Sequence, residues 1–133
     1  MKASDLPCPA EHVEQSNLFE WIRIMEQQSP LYRLFYAIPN GGDRVSKVGA
    51  KLKREGVKRG VPDIAAPIAR GGYFGIYIEM KRVRGSTFPE TQKWWRDQLQ
   101  AQGYYWRLCK GYRAAELVIT EYMSWEQTIV VGK

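Results

Sequence analysis

The sequence predicts an α/β fold in which α-helices flank a central mixed β-sheet, and three observations carry that prediction. Apolar residues recur at helical spacing over residues 11–28, and a second helical pattern begins after residue 89. Between them, two runs rich in β-branched and aromatic residues are separated by Arg70-Gly71-Gly72, which is the pattern of a hairpin. A further strand pattern and a further helix pattern follow Gly103.

The bulk composition predicts a single domain. A chain of 133 residues with 44% apolar composition is long enough for one core. We expect residues 11–133 to form that domain and residues 1–10, with two prolines and little periodicity, to form a flexible arm. No stretch of eighteen apolar residues and no signal segment is seen, so we expect a cytoplasmic protein with no membrane partner. Cys8 and Cys109 lack a CxxC pattern, which favours reduced thiols.

The first half of the chain predicts two helices and one strand. A helix begins near Glu11 and ends at Gln27-Gln28-Ser29-Pro30. Leu34–Ile38 is typical of a short strand, and Pro39-Asn40-Gly41-Gly42, which closes it, is normally only a turn. Residues 46–55 then predict a basic amphipathic helix, with Val48 and Leu52 facing inward.

The predicted hairpin contains the candidate metal-binding and catalytic side chains. Ile64–Ile68 and Tyr73–Lys81 are the predicted strands, and side chains alternate between faces, so Glu79 and Lys81 share one face. In a hairpin, Asp63 begins one strand near the point where Glu79 ends the other. Two neighbouring carboxylates repel each other unless a cation lies between them, and an oxygen-rich site suits Mg²⁺ or Mn²⁺.

The second half predicts a loop, a helix, a strand and a last helix. After the polar loop 82–87, Pro89 opens a helix with Gln92 on its first turn, and we expect Trp94 and Trp95 to pack in the core rather than stack on bases. Tyr104–Cys109 predicts a strand with two packed aromatic side chains, followed by a helix through Tyr122. The apolar tail 124–133 is consistent either with an edge strand or with a subunit contact.

The charge favours a polyanionic partner. The chain has 20 basic and 14 acidic residues, for a net charge of +6, and its pI is near 9.4. The basic run between residues 44 and 59 would alone be a solvated helix face, but directly before the Asp63 strand it favours phosphate contact. The cations that we predict to contact nucleic acid are Lys47, Lys51, Lys53, Arg54, Lys58, Arg59, Arg82 and Arg84.

These motifs resemble a known superfamily. Asp63 followed by Glu79-x-Lys81 resembles the signature of the PD-(D/E)xK nucleases. Gly60-x-Pro62-Asp63, the segment 38–42 and Gln92 resemble its VRR-NUC branch, and the chain is similar from about Glu11 to Tyr122 to small stand-alone members found in phages and prophages. The resemblance implies a restriction-endonuclease-like core, with Asn40 beside the active site.

The resemblance also implies roles for the motif residues. Asp63 and Glu79 would bind the metal directly, together with the main-chain oxygen of Met80. The family places a further acidic residue in the first helix: Glu11 matches that position with Gln15 four residues later, and Glu14 is the alternative. Lys81 would orient the attacking water and stabilise developing charge, and Gln92 would position the water or a phosphate. The implied catalytic residues are Asp63, Glu79, Lys81, Gln92 and Glu11.

The sequence therefore predicts a nuclease that depends on Mg²⁺ or Mn²⁺ and hydrolyses phosphodiester bonds in DNA. Similar stand-alone proteins imply a homodimer that acts on branched or four-way junction DNA rather than on a defined sequence. The alternative is a nucleic-acid-binding module that has lost catalysis on the same fold. Competent residues at Asp63, Glu79, Lys81 and Gln92 argue against that alternative, and no phosphate-loop or dinucleotide motif supports another enzyme class.

Overall fold

The structure is a computed structural model that describes Lys2, residues 6–39 and residues 46–132, with the side chains of residues 46–48 outside the description. Four α-helices, one 3₁₀ helix and four strands lie within these residues. In chain order they are α1 (Glu11–Gln28), the 3₁₀ helix (Pro30–Leu34), β1 (Tyr36–Ala37), α2 (Ser46–Arg54), β2 (Ile64–Ala66), β3 (Ile76–Lys81), α3 (Glu90–Ala101), β4 (Tyr105–Lys110) and α4 (Tyr112–Ser124).

The strands form one mixed sheet in the order β1-β2-β3-β4. The first two pairs are antiparallel, and Ile64 lies opposite Ile78 in the β2–β3 hairpin. β3 and β4 are parallel, which requires a crossover, and α3 supplies it. The predicted mixed sheet flanked by helices is confirmed, and so is the hairpin that joins the Asp63 and Glu79 segments.

Helices cover both faces of the sheet, as two adjacent residues of β4 illustrate. Tyr105 stacks on Tyr122 of α4 with ring centroids 5.4 Å apart, whereas Trp106 stacks on Phe88, just before α3, at 5.7 Å. Neighbouring strand residues point to opposite faces, so α4 covers one face and α3 the other. The main core lies between α1, α4 and the sheet, and it includes Leu18, Ile22, Ile64, Ile76, Ile78, Met80, Ala115, Ile119 and Tyr122.

The prediction of a strand over Leu34–Ile38 is wrong in its extent. Pro30 opens a 3₁₀ helix instead, in which the Tyr32 N–H donates to the Ser29 carbonyl and the Phe35 N–H donates to the Tyr32 carbonyl. Tyr32 and Phe35 are both buried against each other, with ring centroids 5.9 Å apart. Burial of these two rings ties the segment into a turn and leaves only two residues to pair with β2.

The hairpin strands are also shorter than predicted. Pro67 follows β2 directly and has no N–H to donate to a ladder, so the strand ends at Ala66. The turn itself is closed by the Tyr73 N–H, which donates to the Arg70 carbonyl at 2.8 Å. Arg70 forms an isolated bridge with Gln127 of the tail, and within the described part of the tail no strand is seen.

Two large apolar side chains on the helices lie outside the core. Trp94 of α3 is 57% exposed, and it meets the partly buried Trp95 edge to face at 5.7 Å. Leu117 of α4 is exposed as well. The helical pattern identifies a helix, but the face that a helix buries depends on where it packs. The core prediction is therefore wrong for Trp94.

Two bulk expectations can be compared with the structure. Cys8 and Cys109 are free, and burial raises the pKa of the Cys109 thiol to about 12. Among the described residues, no helix combines the length and the apolar character that crossing a bilayer requires.

Candidate active site

The hairpin brings Asp63 to the end of β3. The Asp63 N–H donates to the Ile78 carbonyl at 3.1 Å, and its carbonyl accepts from the Ile38 N–H at 2.7 Å, so its backbone continues the ladder of β2. The Asp63 carboxylate accepts a bond of 2.7 Å from the Met80 N–H. This bond fixes the carboxylate beside Glu79, and both side chains are buried.

Glu11 completes a group of three carboxyls. It is the first residue of α1, and carboxylate oxygens of Glu11, Asp63 and Glu79 all lie within 4.8 Å of one another. Glu11 is partly exposed, whereas the other two are buried, so the group opens toward solvent on the side of α1. α1, the start of β2 and the end of β3 each supply one member.

The electrostatics of this group fit a divalent cation. Glu79 is 2% exposed, and its Oε1 has no hydrogen-bond partner among the described residues. Burial raises the pKa of Glu79 to about 10, and the neighbouring Asp63 and Glu11 act in the same direction while Lys81 lowers it. An unsatisfied buried oxygen beside two further carboxyls is the donor set that Mg²⁺ and Mn²⁺ prefer. Asp63, Glu79 and Glu11 would hold the ion.

Lys81 lies two residues beyond Glu79 on β3 and is buried. Its ammonium donates to Oε1 of Gln92 at 2.7 Å, which links the end of β3 to the first turn of α3. Gly60 lies against the residue before Gln92: its φ is +90°, and a Cβ there would lie 2.9 Å from the Thr91 carbonyl carbon. The segment before β2 therefore packs directly on the first turn of α3.

Glu14, the alternative to Glu11, has a different environment. It is buried, and its Oε1 accepts a bond of 3.1 Å from the N–H of Tyr112, the first residue of α4. A carboxylate at a helix N-terminus is stabilised by the free N–H groups and by the helix dipole. Glu11 thus belongs to the cluster of three carboxyls, whereas Glu14 links α1 to α4. No sequence pattern could indicate this link, because the two residues are far apart in the chain and the donor is a backbone group.

Met80 is buried, and its N–H is bonded to Asp63. The metal-binding role predicted for its main-chain oxygen stays a prediction. A cleft of about 630 Å³ opens beside α1 and is lined by Gln15, His12 and Arg23 among others. Within the described residues, the three carboxyls lie outside the lining of this cleft.

The residues predicted to contact nucleic acid fall into three groups. Asn40 and the side chain of Lys47 lie outside the described residues. Arg82 and Arg84 donate to the backbone carbonyls of Cys8 and Leu6, so they contact the chain that precedes α1, an arrangement that sequence reasoning missed. The remaining cations are exposed at the surface: Lys51, Lys53, Arg54, Lys58 and Arg59.

Comparison with known proteins identifies the family. No protein-family model matches the sequence, and no curated protein matches it either. A solved structure of a VRR_NUC domain protein is 30% identical, with 96% of this chain and 99% of that chain covered and a TM-score of 0.77. The chain belongs to the VRR_NUC domain family. The predicted resemblance to VRR-NUC domains is confirmed. Membership of this family indicates a nuclease-type function, and the cluster of three carboxyls is compatible with such a function.

Proposed function

We propose that this protein is a divalent-metal-dependent nuclease that hydrolyses phosphodiester bonds in DNA, and that it selects its substrate by shape. The observation that carries the proposal is the group of Glu11, Asp63 and Glu79 within 4.8 Å, in a chain of the VRR_NUC family. Lys81 and Gln92 adjoin that group, which adds a fixed cation to an oxygen-rich site.

Hydrolysis of a phosphodiester needs a water molecule that loses a proton and a phosphoryl group whose negative charge is stabilised. Bound Mg²⁺ or Mn²⁺ supplies charge that polarises the phosphoryl group and makes water more acidic. Asp63 and Glu79 would bind the ion, with Glu11 and the main-chain oxygen of Met80 as further ligands. The cation would also relieve the repulsion among the buried carboxyls.

Lys81 would act on the substrate itself. Its ammonium lies on the carboxyl face of β3 and is held by Gln92 at 2.7 Å, so little side-chain freedom is lost when a phosphate arrives. In that position it stabilises negative charge on the phosphoryl oxygens and orients the attacking water. Gln92 keeps its amide N–H groups for a phosphate or for that water, because only its oxygen is used by Lys81.

The DNA surface in this proposal includes the exposed cations of α2 and the segment that follows it. Lys58 and Arg59 directly precede Gly60, which packs on α3 beside Gln92, so their charges adjoin the catalytic side chains. Such contacts are made to phosphates and carry no base information, which favours selection by shape, as in branched or junction DNA. Asn40, Lys47, Arg82 and Arg84 belong to the same proposed surface.

The finer predictions from the sequence are part of this proposal. They are the PD-(D/E)xK type of site, the resemblance to stand-alone phage proteins, a homodimer and a cytoplasmic location. A symmetric dimer suits a small nuclease because two sites related by a twofold axis can address two strands.

The test is cleavage of labelled single-stranded, duplex, flap, splayed-arm and four-way junction DNA with Mg²⁺, Mn²⁺ or chelator. We expect cutting that requires metal and falls by roughly 100-fold or more in Lys81→Ala, because the variant removes transition-state charge stabilisation. Lys93→Ala is the matched control, since that ammonium pairs with Glu90 at the exposed surface. DNA binding by wild type without cutting in any metal would overturn the proposal in favour of a binding module.

A further inference from the structure

Four aromatic side chains form a row across the sheet, here called the aromatic belt: Tyr36, Phe74, Tyr77 and Tyr104. Tyr77 meets Tyr104 edge to face at 5.3 Å, and Tyr104 meets Phe74 at 6.3 Å. Tyr36 lies opposite Ala65, which in turn lies opposite Tyr77, so Tyr36 and Tyr77 point to the same face with only an alanine between them. The belt therefore extends from β1 to the start of β4.

This face of the sheet is the one that carries the carboxyls. Tyr77 and Glu79 are two residues apart on β3, which places them on one face about 7 Å apart by strand geometry. Ala65 and Asp63 have the same spacing on the neighbouring strand. Tyr77 is thus the ring of the belt that adjoins the proposed catalytic carboxyls, and the other three rings extend the belt away from it.

Two rings of the belt are open to solvent. Phe74 is 58% exposed and Tyr36 is 51% exposed. Phe74 lies over Gly103, where an added Cβ would be 2.7 Å from the ring. The backbone beneath Phe74 supports the ring and keeps its outer side free. α3 packs on this face against β4, and it leaves the β1 side of the belt accessible.

We infer that the aromatic belt binds unpaired nucleobases of the strand whose phosphate lies at the carboxyls. The inference rests on the proposed nuclease function and deepens it. Every nucleobase has a π-face that stacks on an aromatic ring, and the belt contains no carboxylate that would repel the adjacent phosphates. The exposed Lys58 and Arg59 offer charge for those phosphates at the catalytic end.

The belt gives a physical basis for selection by shape. In a duplex the bases are paired and stacked inside, so their faces cannot reach the rings. In a flap, a splayed arm or a junction with an open centre, the bases next to the cut are free to stack. The rings would therefore add affinity to single-stranded and branched DNA and add none to a closed duplex.

The test measures binding without cutting, by fluorescence anisotropy of labelled single-stranded and duplex DNA in chelator. Tyr36→Ala and Phe74→Ala should each weaken single-strand binding by roughly 5- to 150-fold and leave duplex binding unchanged. Tyr36→Phe keeps the ring and should bind as wild type does. Leu117→Ala is the control, since it removes an exposed apolar side chain from α4, on the opposite face of the sheet.

A second measurement identifies the contact. Abasic nucleotides beside the cutting position should weaken binding to wild type and have little further effect on the Tyr36→Ala, Phe74→Ala double variant. If the ring variants lose affinity equally for duplex and single-stranded DNA, or lose no affinity at all, the inference is overturned. Conversion of a dimer to a monomer by the double variant would overturn it too, because the belt would then be a contact between two copies of the chain.

The two proposals fail separately. If wild type cuts DNA in Mg²⁺ and the ring variants bind single-stranded DNA as wild type does, the nuclease function is supported and the aromatic belt is overturned. If wild type cuts no DNA but the ring variants bind single-stranded DNA more weakly than wild type, the aromatic belt is supported and the nuclease function is overturned.

Discussion

Glu79 combines deep burial with two neighbouring carboxyls, a combination that folding alone would not favour. A buried carboxylate without enough hydrogen bonds costs free energy unless it is protonated or bound to a cation. Its raised pKa means that the metal-free protein keeps Glu79 protonated near neutral pH. The side chain thus stores a destabilising interaction that only a cation or a proton relieves, which is typical of a ligand residue rather than a structural one.

The stability of the metal-free protein should therefore fall as pH rises. The pKa of Glu79 is raised from 4.5 in its ordinary state to about 10, so its contribution is fully present below about 4.5 and is lost as pH rises toward 10. The slope approaches about 1.4 kcal/mol per pH unit for this single proton. Urea unfolding in chelator at pH 5.5, 7 and 8.5 measures it, with Glu79→Gln expected to remove the slope.

Two controls accompany that measurement. Glu121→Gln changes an exposed glutamate of α4 and should leave the slope as in wild type. Saturating Mn²⁺ should flatten the wild-type slope, because the ion stabilises the carboxylate form. Parallel pH profiles for wild type and Glu79→Gln would contradict the assignment.

Among the elements, α1 has two tasks that fall on successive turns. Glu11 faces the carboxyls of the hairpin, and Glu14 caps the first N–H of α4. Gly111, which precedes that N–H, donates from its own backbone to the carbonyl of Lys81. α1, the end of β3 and the start of α4 are thus joined within a few residues of the site, so the cap holds the helix that presents Glu11.

Glu14→Ala should destabilise the protein by about 2 kcal/mol, because it removes a charge-assisted bond and leaves a helix N–H without a partner. If the cap positions Glu11, the affinity for Mn²⁺ should also fall, by roughly tenfold. Glu14→Gln retains an acceptor oxygen and should recover part of both losses. Urea unfolding and calorimetric titration with Mn²⁺ give the two readouts. Lost stability with unchanged Mn²⁺ affinity would show that Glu14 is only structural.

At this scale the sequence predicts the elements and the structure adds their packing. The four helices and the Asp63–Glu79 hairpin follow from periodicity and turn residues, which are local properties. The 3₁₀ helix at Pro30 was missed because only tertiary burial of Tyr32 and Phe35 favours it over a strand. The exposure of Trp94 was missed for a similar reason, since a helical pattern does not specify which side the sheet will cover.

The sequence likewise predicts some features of the candidate site, and other features are visible only in the structure. The spacing of the motifs predicted which residues the fold brings together. It could not decide between Glu11 and Glu14, because they lie on successive turns of one helix. Only the position of α4 shows that Glu14 bonds to that helix while Glu11 lies beside the other carboxyls. The contacts of Arg82 and Arg84 were equally out of reach, because their partners are backbone carbonyls that carry no sequence signal. The roles of all these residues stay predictions until they are measured.

Across the whole molecule, the chain has a net charge of +6, and exposed cations follow one another along α2 and the segment before β2. Lys51 and Glu55 pair at 4.0 Å, while the cations of the next turn and of the segment before β2 are exposed. An exposed ion pair contributes little, so these charges are available for phosphates. Affinity for any DNA shape should therefore fall steeply with salt.

The salt dependence can be assigned to particular side chains. Lys58→Ala and Arg59→Ala should each reduce the slope of log K against log[salt] by roughly 0.9 on duplex DNA, one phosphate contact apiece. Arg113→Ala removes an exposed guanidinium from α4 and should leave the slope unchanged. Anisotropy titrations between low and moderate salt measure the slopes. A loss of affinity at one salt with an unaltered slope would mean that these residues do not contact phosphate.

The three carboxyls come from the start of α1, the start of β2 and the end of β3, and this origin has a consequence for the life of the protein in a cell. A chain in which α1 has not yet packed beside the hairpin contains every motif residue but no assembled cluster of carboxyls. Under the proposed function, hydrolysis of DNA would begin only once these three segments have packed together. Folding itself would then determine when the proposed nuclease becomes active.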